Sequence, residues 1–144
     1  MINTSSFATV SLEGHTAPVL SVDLDNSGQT VVSSGCDGSV RIWSTETKKQ
    51  VQIVEGCHPK SNDVPLSPSV AGVRFSGDGA RLAVPKADTV LVLEREGGWQ
   101  QSQARTVTIS GLAQGEMVTC LDWAADSKYI LTATNKVLHR HSYN

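Results

Sequence analysis

An internal repeat constrains the fold of this 144-residue chain more than any other feature. Leu24 aligns with Phe75 at an offset of 51 residues, and Phe75 aligns with Trp123 at an offset of 48. The turns that contain Gly28 and Gly79 repeat at the same offset of 51. Repeated units bury a continuous core only by packing on their neighbours, so the repeat predicts a modular architecture.

Each unit is predicted to consist of short β-strands, because apolar and polar residues alternate and turn residues separate the runs. In the first run, for example, Leu20, Val22 and Leu24 fall on one face. No stretch shows helical periodicity without turn residues that interrupt it. The predicted strands cover residues 18–25, 29–34, 39–43 and 49–55 in the first unit, 71–75, 80–84, 89–94 and part of 99–109 in the second, and 117–123, 128–133 and 136–141 in the third, with one more at 6–12.

One motif in the first unit identifies the type of repeat. His15 follows Gly14 and lies 28 residues before Trp43, with Asp37 between them. This order matches the signature of a WD repeat, in which an imidazole, a turn carboxylate, a strand hydroxyl and an indole N–H form a chain of hydrogen bonds. We therefore expect His15, Asp37 and Trp43 to form a structural hydrogen-bond network.

The first unit departs from the signature at two positions. Ser44 stands where the final Asp is expected, and Gly35 stands two residues before Asp37, where the hydroxyl normally comes. Ser33 or Ser34 can replace that hydroxyl, or the chain can lack the link. The other two units keep the strand pattern and the turns but have no Gly-His pair.

The predicted fold is all-β, a WD-repeat β-propeller segment of about three four-stranded antiparallel blades in an open arc. The units cover roughly residues 13–56, 69–110 and 116–144, and the third lacks its outer strand. A propeller closes with about 4–8 blades, so both end blades are expected to expose apolar residues and to favour self-association. The residues expected at these two surfaces are Leu20, Val22 and Val31 at one end, and Val118, Leu121 and Ile130 at the other.

Composition argues against direct binding to nucleic acid and against a secreted or membrane protein. The chain has 12 basic and 14 acidic residues, so no basic excess favours direct binding to nucleic acid. Its three widely spaced cysteines do not form a disulfide framework, and they indicate a reducing compartment. The sequence shows neither a signal peptide nor a membrane span, so a cytoplasmic or nuclear location is expected.

Catalytic and metal-binding interpretations are weaker than structural ones. His15, Asp37 and a serine could suggest a hydrolytic triad, but the WD signature assigns them to the structural network. His139 and His141 alternate on one strand face and could bind a metal with Cys120, although a solvated pair is the simpler interpretation. We therefore predict no catalytic residues, metal or cofactor. Ser67, before a proline in the insertion of residues 57–69, is a possible phosphorylation site.

Several stretches go beyond a generic WD repeat, namely residues 14–21, 36–43, 73–75, 82–85 and 94–99. Together they resemble the N-terminal propeller of the acidic nucleoplasmic DNA-binding proteins, a WD-repeat and HMG-box family that includes the chromosome transmission fidelity adaptor. The resemblance covers roughly residues 15–133 and implies a nuclear replisome adaptor that couples the replicative helicase to DNA polymerase alpha. The trimerising domain and the HMG box of that family have no counterpart here, so the sequence suggests a partial gene product.

The leading hypothesis is thus a non-catalytic protein-interaction scaffold of the replication fork or of chromatin. The alternative is a WD-repeat substrate-recognition subunit of a ubiquitin ligase or chromatin complex. An enzyme is a distant third possibility.

Overall fold

The computed structural model describes residues 9–57, 72–86, 89–108, 118, 120–133 and 138–142. These residues form three antiparallel sheets, two of four strands and one of three, and each strand lies beside the strand that precedes it in its unit. The strands are β1 (Val19–Leu24), β2 (Thr30–Gly35), β3 (Val40–Ser44) and β4 (Lys49–Val54) in the first sheet, β5 (Arg74–Phe75), β6 (Arg81–Lys86), β7 (Thr89–Glu94) and β8 (Arg105–Thr108) in the second, and β9 (Cys120–Trp123), β10 (Tyr129–Ala133) and β11 (Leu138–Ser142) in the third.

The three sheets are arranged as consecutive blades. Their first strands, β1, β5 and β9, lie next to one another, so the sheets diverge from one side of the molecule. The only helical element in the described part of the chain is a single 3-10 turn, Gln101–Gln103, that precedes β8. The prediction of an all-β propeller segment in an open arc is confirmed.

The core consists of two layers, each between neighbouring blades. β6 and β7 contribute to both layers, because successive side chains of a strand point to opposite faces. Leu82 and Leu93 face the first blade, whereas Ala83 and Val92 face the third. This double burial explains why β7 is a nearly continuous apolar run while β1 alternates. The first layer contains Val32, Val40, Ile42, Val54, Cys57, Val73, Phe75, Leu82, Val84, Leu91, Leu93 and Trp99, and the second contains Ala83, Val90, Val92, Val118, Leu121, Trp123 and Ile130.

The exposed faces of the end blades agree only in part with the sequence prediction. Val22 is 63% exposed, as predicted, whereas Leu20 and Val31 are half-buried. Leu24, on the same face of β1 as Val22, is 53% exposed. The prediction for the third blade was wrong, because Val118, Leu121 and Ile130 are buried. They face the second blade, and the outward face of the third sheet instead carries the exposed side chains of Cys120 and Asp122 with half-buried Leu131.

A strand was also predicted at residues 6–12. The structure describes residues 9–12 of this range, and they belong to no strand. Val10 is exposed, and an edge strand needs a neighbouring strand to bond with.

Candidate functional site

The structure joins His15, Asp37 and Trp43 through one serine hydroxyl. His15 lies before β1, Asp37 lies in the turn between β2 and β3, and Trp43 lies on β3. The Nδ1 atom of His15 is 3.0 Å from Oδ2 of Asp37, and its Nε2 atom is 2.7 Å from Oγ of Ser33. The indole N–H of Trp43 donates to the same Ser33 oxygen at 2.9 Å. The network therefore ties a connecting loop to a turn and to two strands.

The carboxylate of Asp37 determines one proton position in this network. A carboxylate can only accept, so Nδ1 of His15 carries the proton that is donated to Asp37. Nε2 of His15 makes the second hydrogen bond of the ring, with the hydroxyl of Ser33, which also accepts from Trp43. Each group of the chain is used, and Ser33 and Trp43 are both buried.

Strand geometry explains why Ser33 and not Ser34 provides the hydroxyl. Val31 pairs with Trp43 across the sheet, and Ser33, two residues further along β2, lies on the same face as Trp43. Ser34 points to the opposite face, where its hydroxyl has no hydrogen-bond partner among the residues that the structure describes.

Two glycines leave space for this network. A β-carbon at Gly35 would lie 2.6 Å from Nδ1 of His15, which explains why the usual hydroxyl residue is absent from this position. A β-carbon at Gly14 would lie 2.9 Å from Cη2 of Trp43. Substitution of either glycine would therefore require the ring beside it to move.

Asp37 is the electrostatic centre of the network. Its Oδ1 atom accepts from the backbone N–H and the hydroxyl of Ser39, at 3.0 Å and 2.7 Å. Its Oδ2 atom also accepts from the backbone N–H of Thr16 at 3.1 Å. Burial alone would raise the pKa of Asp37, but the hydrogen bonds from Ser39, Thr16 and His15 outweigh it and hold the pKa far below the ordinary value of 3.8. Asp37 is therefore ionised in the folded protein at neutral pH.

A second polar cluster connects the first blade to the second, and the sequence did not predict it. The guanidinium of Arg95, after β7, donates to Oδ2 of Asp25, after β1, at 2.6 Å. Arg95 also donates through Nε to the carbonyl of Gly79 at 2.7 Å, and it lies 5.1 Å from the ring centre of Trp99. We call Asp25, Arg95 and Trp99 the inter-blade clasp. No local spacing signals it, because Asp25 and Arg95 are 70 residues apart.

The side chain of Asp25 is only 1% exposed, so its negative charge needs the partners that it has. Burial raises its pKa, but the N–H of Thr30, the hydroxyl of Ser27 and the Arg95 guanidinium together lower it below the ordinary value. The clasp therefore connects the first blade to the second through the buried carboxylate of Asp25.

The other sequence candidates have different outcomes. His139 and His141 share one face of β11, but Cys120 pairs with Ala133 and lies on the opposite face of the sheet, so the three do not converge. No cluster of three metal-ligating side chains occurs within the described ranges. Ser67 lies outside the described residues.

The three cysteines support no further site. Cys36, Cys57 and Cys120 form no disulfide, and burial raises the pKa of the Cys57 thiol to about 11. A thiol with that pKa is a poor nucleophile. Among the described residues, no helix has the length and apolarity that a membrane crossing requires.

Comparison with known proteins agrees with this geometry. The family model of the WD domain, G-beta repeat, matches residues 7–44 and 105–139, which together make up about half of the chain. The chain therefore belongs to the WD-repeat family.

Within that family, the chain is similar to WD repeat and HMG-box DNA-binding protein 1 of Xenopus laevis, with 31% identity over 85% of this chain and 10% of that protein. This similarity confirms the resemblance found in the sequence. The chain is also similar to antiviral protein SKI8 of Saccharomyces cerevisiae, with 27% identity over 82% of this chain and 27% of that protein. A third relative is eukaryotic translation initiation factor 3 subunit I of Scheffersomyces stipitis, with 28% identity over 84% of this chain and 35% of that protein. The chain thus spans a tenth to about a third of the length of these relatives.

Proposed function

We propose that this chain is a propeller segment of a replication-fork adaptor and acts there as a non-catalytic scaffold for protein–protein interactions. The scaffold role is common to WD-repeat proteins. The adaptor role rests on one observation, the similarity to WD repeat and HMG-box DNA-binding protein 1 along 85% of the chain.

The geometry of the network supports a structural role for its residues. His15 contacts both a carboxylate and a serine hydroxyl, which is the connectivity of a hydrolytic triad. However, the Ser33 hydroxyl is buried and accepts a hydrogen bond from Trp43, so it is not directed at a cleft. A nucleophile has to reach the reacting carbon, and Ser33 is placed to hold two strands together.

Charge supports protein partners over nucleic acid. The net charge of the chain is -2. Binding to a phosphate backbone normally depends on a surplus of Lys and Arg. We infer that the chain contacts other proteins of the fork or of chromatin, and that it is located in the nucleus.

Direct binding provides the test. The purified chain is titrated against purified replicative helicase and, separately, purified DNA polymerase alpha, with isothermal calorimetry as the readout. Saturable binding to either supports the adaptor. Asp37→Ala, which weakens the first blade, is expected to reduce binding, whereas Asp126→Ala, in an exposed turn, is the matched control.

Two results would contradict the proposal. One is the absence of binding to both assemblies by folded protein. The other is a cytoplasmic location of the tagged chain in cells together with co-purification of a ubiquitin-ligase core, which would favour the substrate-recognition alternative.

A further inference from the structure

The third blade contains a modified copy of the hydrogen-bond network of the first blade. In the first sheet, Trp43 pairs with Val31. In the third sheet, His141 pairs with Ile130. The register of the two sheets therefore places His141 at the position that corresponds to Trp43.

The third blade also has a hydroxyl at the position of the Ser33 hydroxyl in the first blade. Thr132 lies two residues beyond Ile130 on β10, as Ser33 lies two residues beyond Val31 on β2. Trp43 donates to Ser33 at 2.9 Å, and Nε2 of His141 lies 3.0 Å from Oγ1 of Thr132. Both blades thus have a hydrogen bond between a ring nitrogen and a hydroxyl, and the third blade makes it with an imidazole in place of an indole.

This exchange matters because an imidazole titrates near neutral pH and an indole does not. The environment of His141 also opposes a positive charge. Thr132 is buried, and the ring of His139 lies on the same face with its centre 6.0 Å from that of His141. Burial, and then the charge of His139, lower the pKa of His141 below the ordinary value of 6.5.

The charged groups around this face offer His141 little compensation. On the third sheet, Asp122 alternates to the opposite face, because it pairs with Leu131. On the second sheet, Glu94 and Arg105 lie on the face that is directed towards the third blade. Glu94 forms an ion pair with Arg81 at 3.4 Å.

The connecting segment also differs from that of the first blade. In the first blade, the connecting turn provides the carboxylate of Asp37, which accepts a hydrogen bond from His15. Residues 134–137, which connect β10 to β11, contain a lysine and no acidic residue.

We propose that His141 makes the attachment of β11 to the third blade sensitive to pH. At neutral pH the uncharged ring holds β11 to Thr132. On acidification the ring takes up a proton, and the charged imidazolium favours states in which β11 has moved into water. Because the folded protein binds this proton less readily than the unfolded chain, stability is complete above the unfolded pKa and falls as the pH drops below it.

The test compares the full chain with the variant His141→Trp, which introduces the residue type that the first blade has at the corresponding position, Trp43. Thermal unfolding midpoints are measured from about pH 7.5 to about pH 5, where His residues titrate. We expect the midpoint of the wild-type protein to fall across this range, and the midpoint of His141→Trp to fall by clearly less. The other titrating groups are the same in both proteins, so the difference between the two curves isolates His141.

His139→Gln provides a matched control, because removal of the neighbouring charge is expected to raise the pKa of His141 and to reduce the pH dependence. Histidine NMR titration of the wild-type chain gives a second readout that does not depend on a folded variant. A His141 pKa below 6.5 is expected, together with faster amide hydrogen exchange in β11 at the acidic end. Equal pH dependence of wild type and His141→Trp, or a His141 pKa at or above 6.5, would overturn the proposal.

Discussion

Replacement of Asp37 by alanine tests whether the network of the first blade is structural. The substitution removes the acceptor for the Nδ1–H of His15, the N–H of Thr16, and both the N–H and the hydroxyl of Ser39. Thr16 is exposed, so water replaces its partner, whereas Ser39 is buried, so the loss of the acceptor for its N–H and hydroxyl adds to the cost. The largest loss is the buried imidazole N–H of His15, because a buried donor without a partner costs about 1–3 kcal/mol.

That loss can be measured directly. In a domain of this size, 1 kcal/mol shifts the melting midpoint by about 3 °C, so we expect a decrease of about 3–9 °C for Asp37→Ala. Circular dichroism follows the melt. Asp126→Ala is the control, because Asp126 is exposed and its carboxylate accepts from one exposed amide, and we expect a change within about 0.5 kcal/mol.

The pH dependence gives an independent check. The pKa of Asp37 lies below its ordinary value in the folded protein, so its charge stabilises the fold fully above about pH 4, and this stabilisation is lost as the pH falls through the folded pKa. The stability difference between wild type and Asp37→Asn should therefore narrow below about pH 4. An unchanged melting midpoint of Asp37→Ala, combined with loss of partner binding, would refute the structural interpretation and make Asp37 a binding residue.

Three further predictions follow from the described contacts and from the sequence. Asp25→Ala should destabilise the chain by about 1–3 kcal/mol, because the amides of Gln29 and Thr30 lose their acceptor and the clasp opens; urea unfolding measures this, and an unchanged midpoint would show that the clasp is not stabilising. The purified chain should self-associate through the exposed apolar face of the first blade, so that light scattering gives a mass above 15.3 kDa for wild type and a lower mass for Val22→Asp; a sharp wild-type monomer would contradict this. Phosphopeptide mapping from S-phase cells should find phosphate on Ser67, and a consistently unmodified Ser67 would remove this prediction.

Local patterns in the sequence were sufficient for the strand order and for three members of the network. Alternation with a period of two predicts a strand because side chains of successive residues point to opposite faces. The residues His15, Asp37 and Trp43 could be assigned because their spacing reflects one blade, whose strands are joined by short turns. Gly14 was also part of that signal, and the structure shows the physical reason in its closeness to Trp43.

Packing between blades decided what the sequence left open. Alternation separates two faces of a strand but does not say which face meets a neighbour, and for this reason Leu121 and Ile130 were assigned to the wrong surface. The choice of Ser33 over Ser34 depended on the register of β2 against β3. The clasp joins Asp25 and Arg95, which are far apart in the chain. The correspondence of His141 to Trp43 also relates two residues that are distant in the sequence. Such relations are set by the way in which whole sheets pack and pair, and they leave no local pattern along the sequence.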